Sequence, residues 1–91
     1  MITDPKKLLE KHNDLIQSDN QKVVSHMQRV DGDWHLNTLM IEGVSAPFKY
    51  KRLEPYKSLK GARVNITYYR EMEKVAGLDF EVMRVVRIKG S

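Results

Sequence analysis

The stretch Lys22-Val23-Val24-Ser25-His26-Met27-Gln28-Arg29-Val30-Asp31-Gly32-Asp33-Trp34-His35-Leu36-Asn37-Thr38-Leu39-Met40-Ile41-Glu42 decides the fold. At its centre stands Asp31-Gly32. Between two alternating runs this dipeptide is the strongest short-range hairpin signal, because a two-residue turn needs positive φ and glycine takes it without strain. Before the turn, Val24, His26, Gln28 and Val30 alternate with Val23, Ser25, Met27 and Arg29. After it, Trp34, Leu36, Thr38 and Met40 alternate with His35, Asn37, Leu39 and Ile41. A period of two is the signature of strands. A single helix running on to about Val30 is the competing reading, and it leaves both the alternation and the turn unexplained. Strands are therefore expected at about 22–30 and 33–42. Trp34 shares its parity with Leu36, which assigns the indole to the core, where its N–H needs a partner.

Toward the N-terminus, Asp4 can cap a helix whose first turn accepts Pro5. Leu8, Leu9, His12, Leu15 and Ile16 then share one stripe of a 3.6-residue period. Ser18-Asp19-Asn20 is turn chemistry, so the helix is expected over 5–17. Toward the C-terminus, Phe48-Lys49-Tyr50-Lys51-Arg52 alternates aromatic with basic until Pro55 blocks further pairing. That is a third strand, about 46–53, with Phe48 and Tyr50 facing inward. After the connection Pro55 to Gly61, Ala62, Val64, Ile66 and Tyr68 alternate with Arg63, Asn65, Thr67 and Tyr69, giving a fourth strand at about 62–70. The polar stretch Arg70 to Leu78 reads as a loop. Asp79 to Ile88 reads as a fifth strand with a bulge near Met83 to Val85 that lets Arg84 reach solvent.

Ninety-one residues make one domain, with no disulfide, thiolate metal site or cysteine nucleophile, since cysteine is absent. Without a disulfide-forming residue, a signal-like N-terminus or an apolar run near the ~20 residues of a membrane helix, the expectation is a cytoplasmic protein.

This order of elements resembles the OB-fold, a five-stranded partly open barrel. The likeness covers roughly Lys22 to Ile88. It lies in the long first hairpin, a third strand, and the pair Leu59-Lys60-Gly61-Ala62-Arg63-Val64-Asn65-Ile66 and Leu78-Asp79-Phe80-Glu81-Val82, with a glycine entering the fourth strand. One departure is the helix that OB domains often place between strands three and four, for which Pro55 to Gly61 is too short. The expected architecture is α+β and mainly β: an N-terminal helix with five antiparallel strands in an OB-like, partly open barrel. Its alternative is the same helix packed on an open antiparallel sheet.

The window from Lys49 to Arg63 holds Lys49, Lys51, Arg52, Lys57, Lys60 and Arg63 against Glu54 alone, so it carries +5 while the whole chain carries +4. Phe48, Tyr50 and Tyr56 are interleaved with these cations. Cations for phosphates and flat rings for bases are what single-stranded nucleic acid requires. The same pattern also arises when an edge strand shields itself with lysine. The candidate interface is Lys49, Lys51, Arg52, Tyr56, Lys57, Lys60 and Arg63, binding RNA or single-stranded DNA with little sequence preference. Its rival is a protein-interaction surface built on Tyr69, Leu39, Ile41 and Met83, because both parities of the second strand are partly apolar.

Other polar groups have plainer explanations. Asp31, Asp33 and His35 could be metal ligands by type, but a tight turn scatters them, and hairpin punctuation accounts for both aspartates. His12 and His26 read as a packing residue and a surface residue. Glu71, Glu73, Asp79 and Glu81 read as an acidic rim. No phosphate loop, nucleophile elbow or zinc spacing occurs. The expectation is a binding module with no catalytic residue, metal or cofactor.

Overall fold

The computed structural model describes residues 15–55 and 57–91. Five strands follow in chain order: β1 Ile16–Asp31, β2 Trp34–Ile41, β3 Phe48–Arg52, β4 Arg63–Val75 and β5 Leu78–Gly90. They close into one barrel in the order β1-β2-β3-β5-β4, with β4 returning to β1. The closed barrel corrects the partly open one expected and excludes the open-sheet alternative. Every neighbouring pair is antiparallel except β3 and β5, which run parallel through Phe48 opposite Met83 and Lys49 opposite Arg84. The all-antiparallel expectation is corrected there. No helix occurs among the described residues, and so none that could cross a membrane. Positions 5–14 of the expected helix lie outside the described residues. Ile16 and Gln17, assigned to the end of that helix, are instead strand, paired with Tyr68 and Thr67.

The barrel closes because β1 is long enough to serve two partners. Its first half, to Lys22, pairs with β4, and its second half, from Val23, pairs with β2. A strand that changes partners must bend, and β1 does so at two register shifts, between Ser18 and Gln21 and between Val23 and Ser25. Asn20 sits in the first bend at φ 55°. Asparagine tolerates this left-handed conformation, and its backbone N–H donates to the Asn65 side-chain oxygen at 2.8 Å. Ser18-Asp19-Asn20 has the chemistry of a turn, but here that chemistry makes a bulge inside a strand.

Both large hairpins turn on two residues. Gly32 has φ 61° at the first central position, with Asp31 paired to Trp34, which is the requirement of a type II′ turn. The turn is thus Gly32-Asp33, one residue later than the Asp31-Gly32 reading. Arg70 to Leu78, expected as a loop, is strand on both sides of Ala76-Gly77. There φ is 53° and 82°, the two positive values of a type I′ turn.

Val23, Leu39, Ile41, Phe48, Val64, Ile66, Tyr68, Met83 and Ile88 form the core. Phe48 meets Tyr68 edge to face at a centroid distance of 4.9 Å. A polar group also lies inside: Asn37 is 1% exposed. Its Oδ1 is 2.7 Å from His26 Nε2, and its Nδ2 donates to the His35 carbonyl. The Leu59 amide donates to His26 Nδ1 at 2.9 Å. An amide can only donate, so Nδ1 accepts and Nε2 carries the hydrogen given to Asn37. His26, expected on the surface, therefore ties the connection between β3 and β4 to the barrel.

Candidate nucleic-acid interface

The register of β2 and β3 sets the site. Asn37 and Leu39 point inward opposite Tyr50 and Phe48, so Trp34, Leu36, Thr38, Lys49 and Lys51 occupy the outer face. Trp34 is 38% exposed, which corrects its assignment to the core. The inward parity instead holds His35, Asn37, Leu39 and Ile41. Leu39 and Ile41 are buried, as is Met83, so three residues of the expected protein-docking surface are core residues. Tyr69, the fourth, is half-buried on the outer face of β4. Partial burial first, and then the neighbouring Glu71 carboxylate, push its phenol above the usual 10.0 despite the opposing Arg84.

Over the Trp34 ring lies the Lys51 ammonium, 4.7 Å from the ring centroid. On the neighbouring parity the Arg52 guanidinium carbon is 5.3 Å from the Tyr50 ring. Trp34, Lys51, Arg52, Leu53, Glu54 and Pro55 line an open groove at this end of the β2–β3 ribbon. Lys51, opposite Leu36, shares the outer parity with Trp34, whereas Arg52, opposite His35, has the inward parity of Tyr50 and reaches the groove at the end of the ribbon. A ring face in solvent beside two permanent cations can stack a planar group and hold an anion attached to it.

The other members of the expected site are dispersed. Lys57 and Lys60 are exposed in the connection that continues from the groove, which Leu59 anchors against the core. Tyr56 lies outside the described residues. Lys49 shares the outer face with Lys51, but its ammonium is held 3.3 Å from Glu73 on β4. Arg84 bridges Glu73 at 2.8 Å and Glu71 at 3.3 Å, so two of the four carboxylates of the acidic rim are held in ion pairs with it. Arg63 sits at the β1–β4 seam, opposite Lys22, where its guanidinium donates to the Asn20 carbonyl. The window of +5 in sequence is therefore not one patch in space. Only Lys51 and Arg52 line the groove, with Lys57 and Lys60 next along the chain.

Comparison with family models, with curated proteins and with solved structures finds no match for this chain. The site must be read from its own geometry. Among the described residues, no three His, Asp or Glu side chains converge on a common metal position. The ring that sequence reasoning placed in the core, Trp34, is the centre of the groove. The signal that could have found it is the spacing Trp34 to Lys51 across two strands joined by a short link, which sets a cation on the indole face once the register is known.

Proposed function

We propose that this chain is a barrel of the OB type that binds single-stranded nucleic acid, RNA or DNA, with little sequence preference on the outer face of β2 and β3. The strand order β1-β2-β3-β5-β4 with a parallel β3–β5 pair supports the OB assignment. In such barrels the face of strands two and three, with the loops after strands one and four, takes oligonucleotides. One observation carries the reading: the exposed Trp34 ring on β2 with the Lys51 ammonium over it, in a groove that Arg52 also lines.

Magnitudes favour an exchange at the ring. An exposed cation–π contact is worth about 0.5–1 kcal/mol. A base stacked on an aromatic side chain is worth about 1–3 kcal/mol. A base therefore displaces the ammonium from the indole, and Lys51 moves to the adjoining phosphate. Arg52, Lys57 and Lys60 extend the phosphate track, while Lys49 and Arg63 take no part. With four cations engaged, single-strand binding should follow a logarithmic salt slope of about −3, with a dissociation constant of roughly micromolar at low salt.

Fluorescence anisotropy of a labelled oligonucleotide tests this, using wild type and the variant Lys51→Glu, Lys57→Glu, Lys60→Glu. Wild type should bind with that slope, and the variant should not bind. No binding at low salt, or binding that ignores both salt and charge reversal, contradicts the proposal.

A further inference from the structure

The β4–β5 hairpin extends past the barrel as an arm whose β5 side has no strand beside it among the described residues. β5 pairs with β4 along its whole length from Leu78, but with β3 only at Met83 and Arg84. The Met83 amide reaches toward β3 and donates to the Pro47 carbonyl at 2.8 Å. Backbone groups alternate sides along a strand. The ladder runs without a register shift from Arg70–Met83 to Val75–Leu78. The N–H and C=O groups of Glu81 and Asp79 therefore point to the same side as those of Met83, and there they meet no strand.

The side chains along this edge are sorted by face. Leu78, Phe80 and Val82 share one parity of β5, and Phe80 and Val82 line a mixed cleft with Ala46, Pro47, Val75 and the charged Lys49, Glu73 and Glu81. Phe80 is 49% exposed. Asp79 and Glu81 occupy the other face. Asp79 has a loose, exposed contact with Lys74 at 3.9 Å, and Glu81 has no cation within ion-pair distance among the described residues.

We infer that the β5 edge at Asp79 and Glu81 docks an extended segment of another protein that alternates basic with apolar residues. The unmet backbone groups call for a strand, since added strands gain affinity from main-chain hydrogen bonds and specificity from alternate side chains. Directly beside it on β5 that strand meets Leu78 and Phe80 on one parity and the carboxylates of Asp79 and Glu81 on the other. A second copy of this chain does not fit. Antiparallel self-pairing centred on Asp79, Phe80 or Glu81 sets Asp79 against Asp79, Asp79 against Glu81, or Glu81 against Glu81, and like charges placed opposite one another are destabilising. Lysine or arginine at those positions turns the repulsion into attraction. This inference stands apart from the nucleic-acid reading, whose groove uses β2 and β3.

The probe is a short fluorescent peptide alternating lysine and valine, followed by anisotropy. Its control is the same peptide N-methylated on the residues whose N–H groups face β5, which keeps charge and apolar surface but removes the backbone bonds. Wild type should bind the first peptide, and roughly tenfold weaker binding is expected for the methylated peptide and for Glu81→Lys. Oligonucleotide binding should be the same in wild type and Glu81→Lys, so failure of one site is distinguishable from failure of the other. The inference is overturned if wild type ignores the peptide, leaving the carboxylates only as guards against edge-to-edge pairing. It is equally overturned if N-methylation or Glu81→Lys changes nothing.

Discussion

Replacing Ala76 by asparagine should stabilise the protein. Ala76 holds φ 53° at the first central position of the β4–β5 turn and is followed by Gly77 at 82°. An L-residue with a Cβ loses roughly 1–2 kcal/mol in this left-handed region, whereas asparagine tolerates it through local hydrogen bonding. Ala76→Asn creates Asn-Gly, the preferred pair for a type I′ turn, and should recover about 1 kcal/mol. For a domain of this size that raises Tm by roughly 4–8 °C. Two further variants fix the cause. Ala76→Gly relieves the same strain but adds freedom to the unfolded chain, worth about 0.4–1 kcal/mol, so its Tm should stay close to wild type. A Cβ built on Gly77 meets no atom within 4 Å, so any loss in Gly77→Ala is conformational and should be about 1–2 kcal/mol. Thermal unfolding followed by circular dichroism gives the order Asn above Gly and wild type, with Gly77→Ala lowest. If Ala76→Asn fails to raise Tm, or Gly77→Ala costs nothing, the turn is not at 76–77. The register that sets Phe80 opposite Glu73 and Glu81 opposite Met72 would then fall with it.

Three other outcomes are expected. His26→Ala removes the acceptor of the Leu59 amide and the donor to buried Asn37 and should cost about 1–3 kcal/mol; amide exchange at Leu59 should accelerate while Gly61, bonded to the Val23 carbonyl, stays protected. Lys49→Ala should leave oligonucleotide affinity within twofold or so, whereas Lys51→Ala should weaken it several-fold, because Glu73 holds the first ammonium and the second lies over Trp34; equal losses in anisotropy titrations would contradict this division. Tyr69, whose phenol is raised above 10.0 by burial and by Glu71, keeps its proton more tightly folded than unfolded. Its contribution is full below the unfolded value and is lost as pH rises through the folded one, so Tyr69→Phe should flatten part of the alkaline loss of stability seen in denaturant unfolding.

How much of this was legible in the sequence depended on which physical signal each residue carried. The first hairpin could be read because glycine beside aspartate marks a turn and the flanks alternate. The inner face of β4 could be read because Val64, Ile66 and Tyr68 are apolar in step, and all three are buried. The second strand misled because both of its parities hold large apolar side chains. Size favoured Trp34 for the core, yet the barrel took the parity of Asn37, whose polarity is met by His26 and the His35 carbonyl. Such partners are remote in sequence and leave no local trace. Ser18-Asp19-Asn20 misled in the opposite way, since the same short side chains serve a turn or a bulge and only the pairing with β4 decides. The basic window was visible as charge, but its division into a groove pair, a Glu73-held lysine and a seam arginine follows from a closed topology that charge counting does not contain.

Trp34 is the single tryptophan of the chain, so its emission reports directly on the ring that the proposed function requires to stack a base. Titrating the protein with unlabelled single-stranded oligonucleotide at low salt should quench that emission in a saturable way. Raising the salt should reverse the quenching, and Lys51→Glu should abolish it. Emission that stays unchanged while the oligonucleotide demonstrably binds would put the nucleic acid elsewhere and contradict the β2–β3 site.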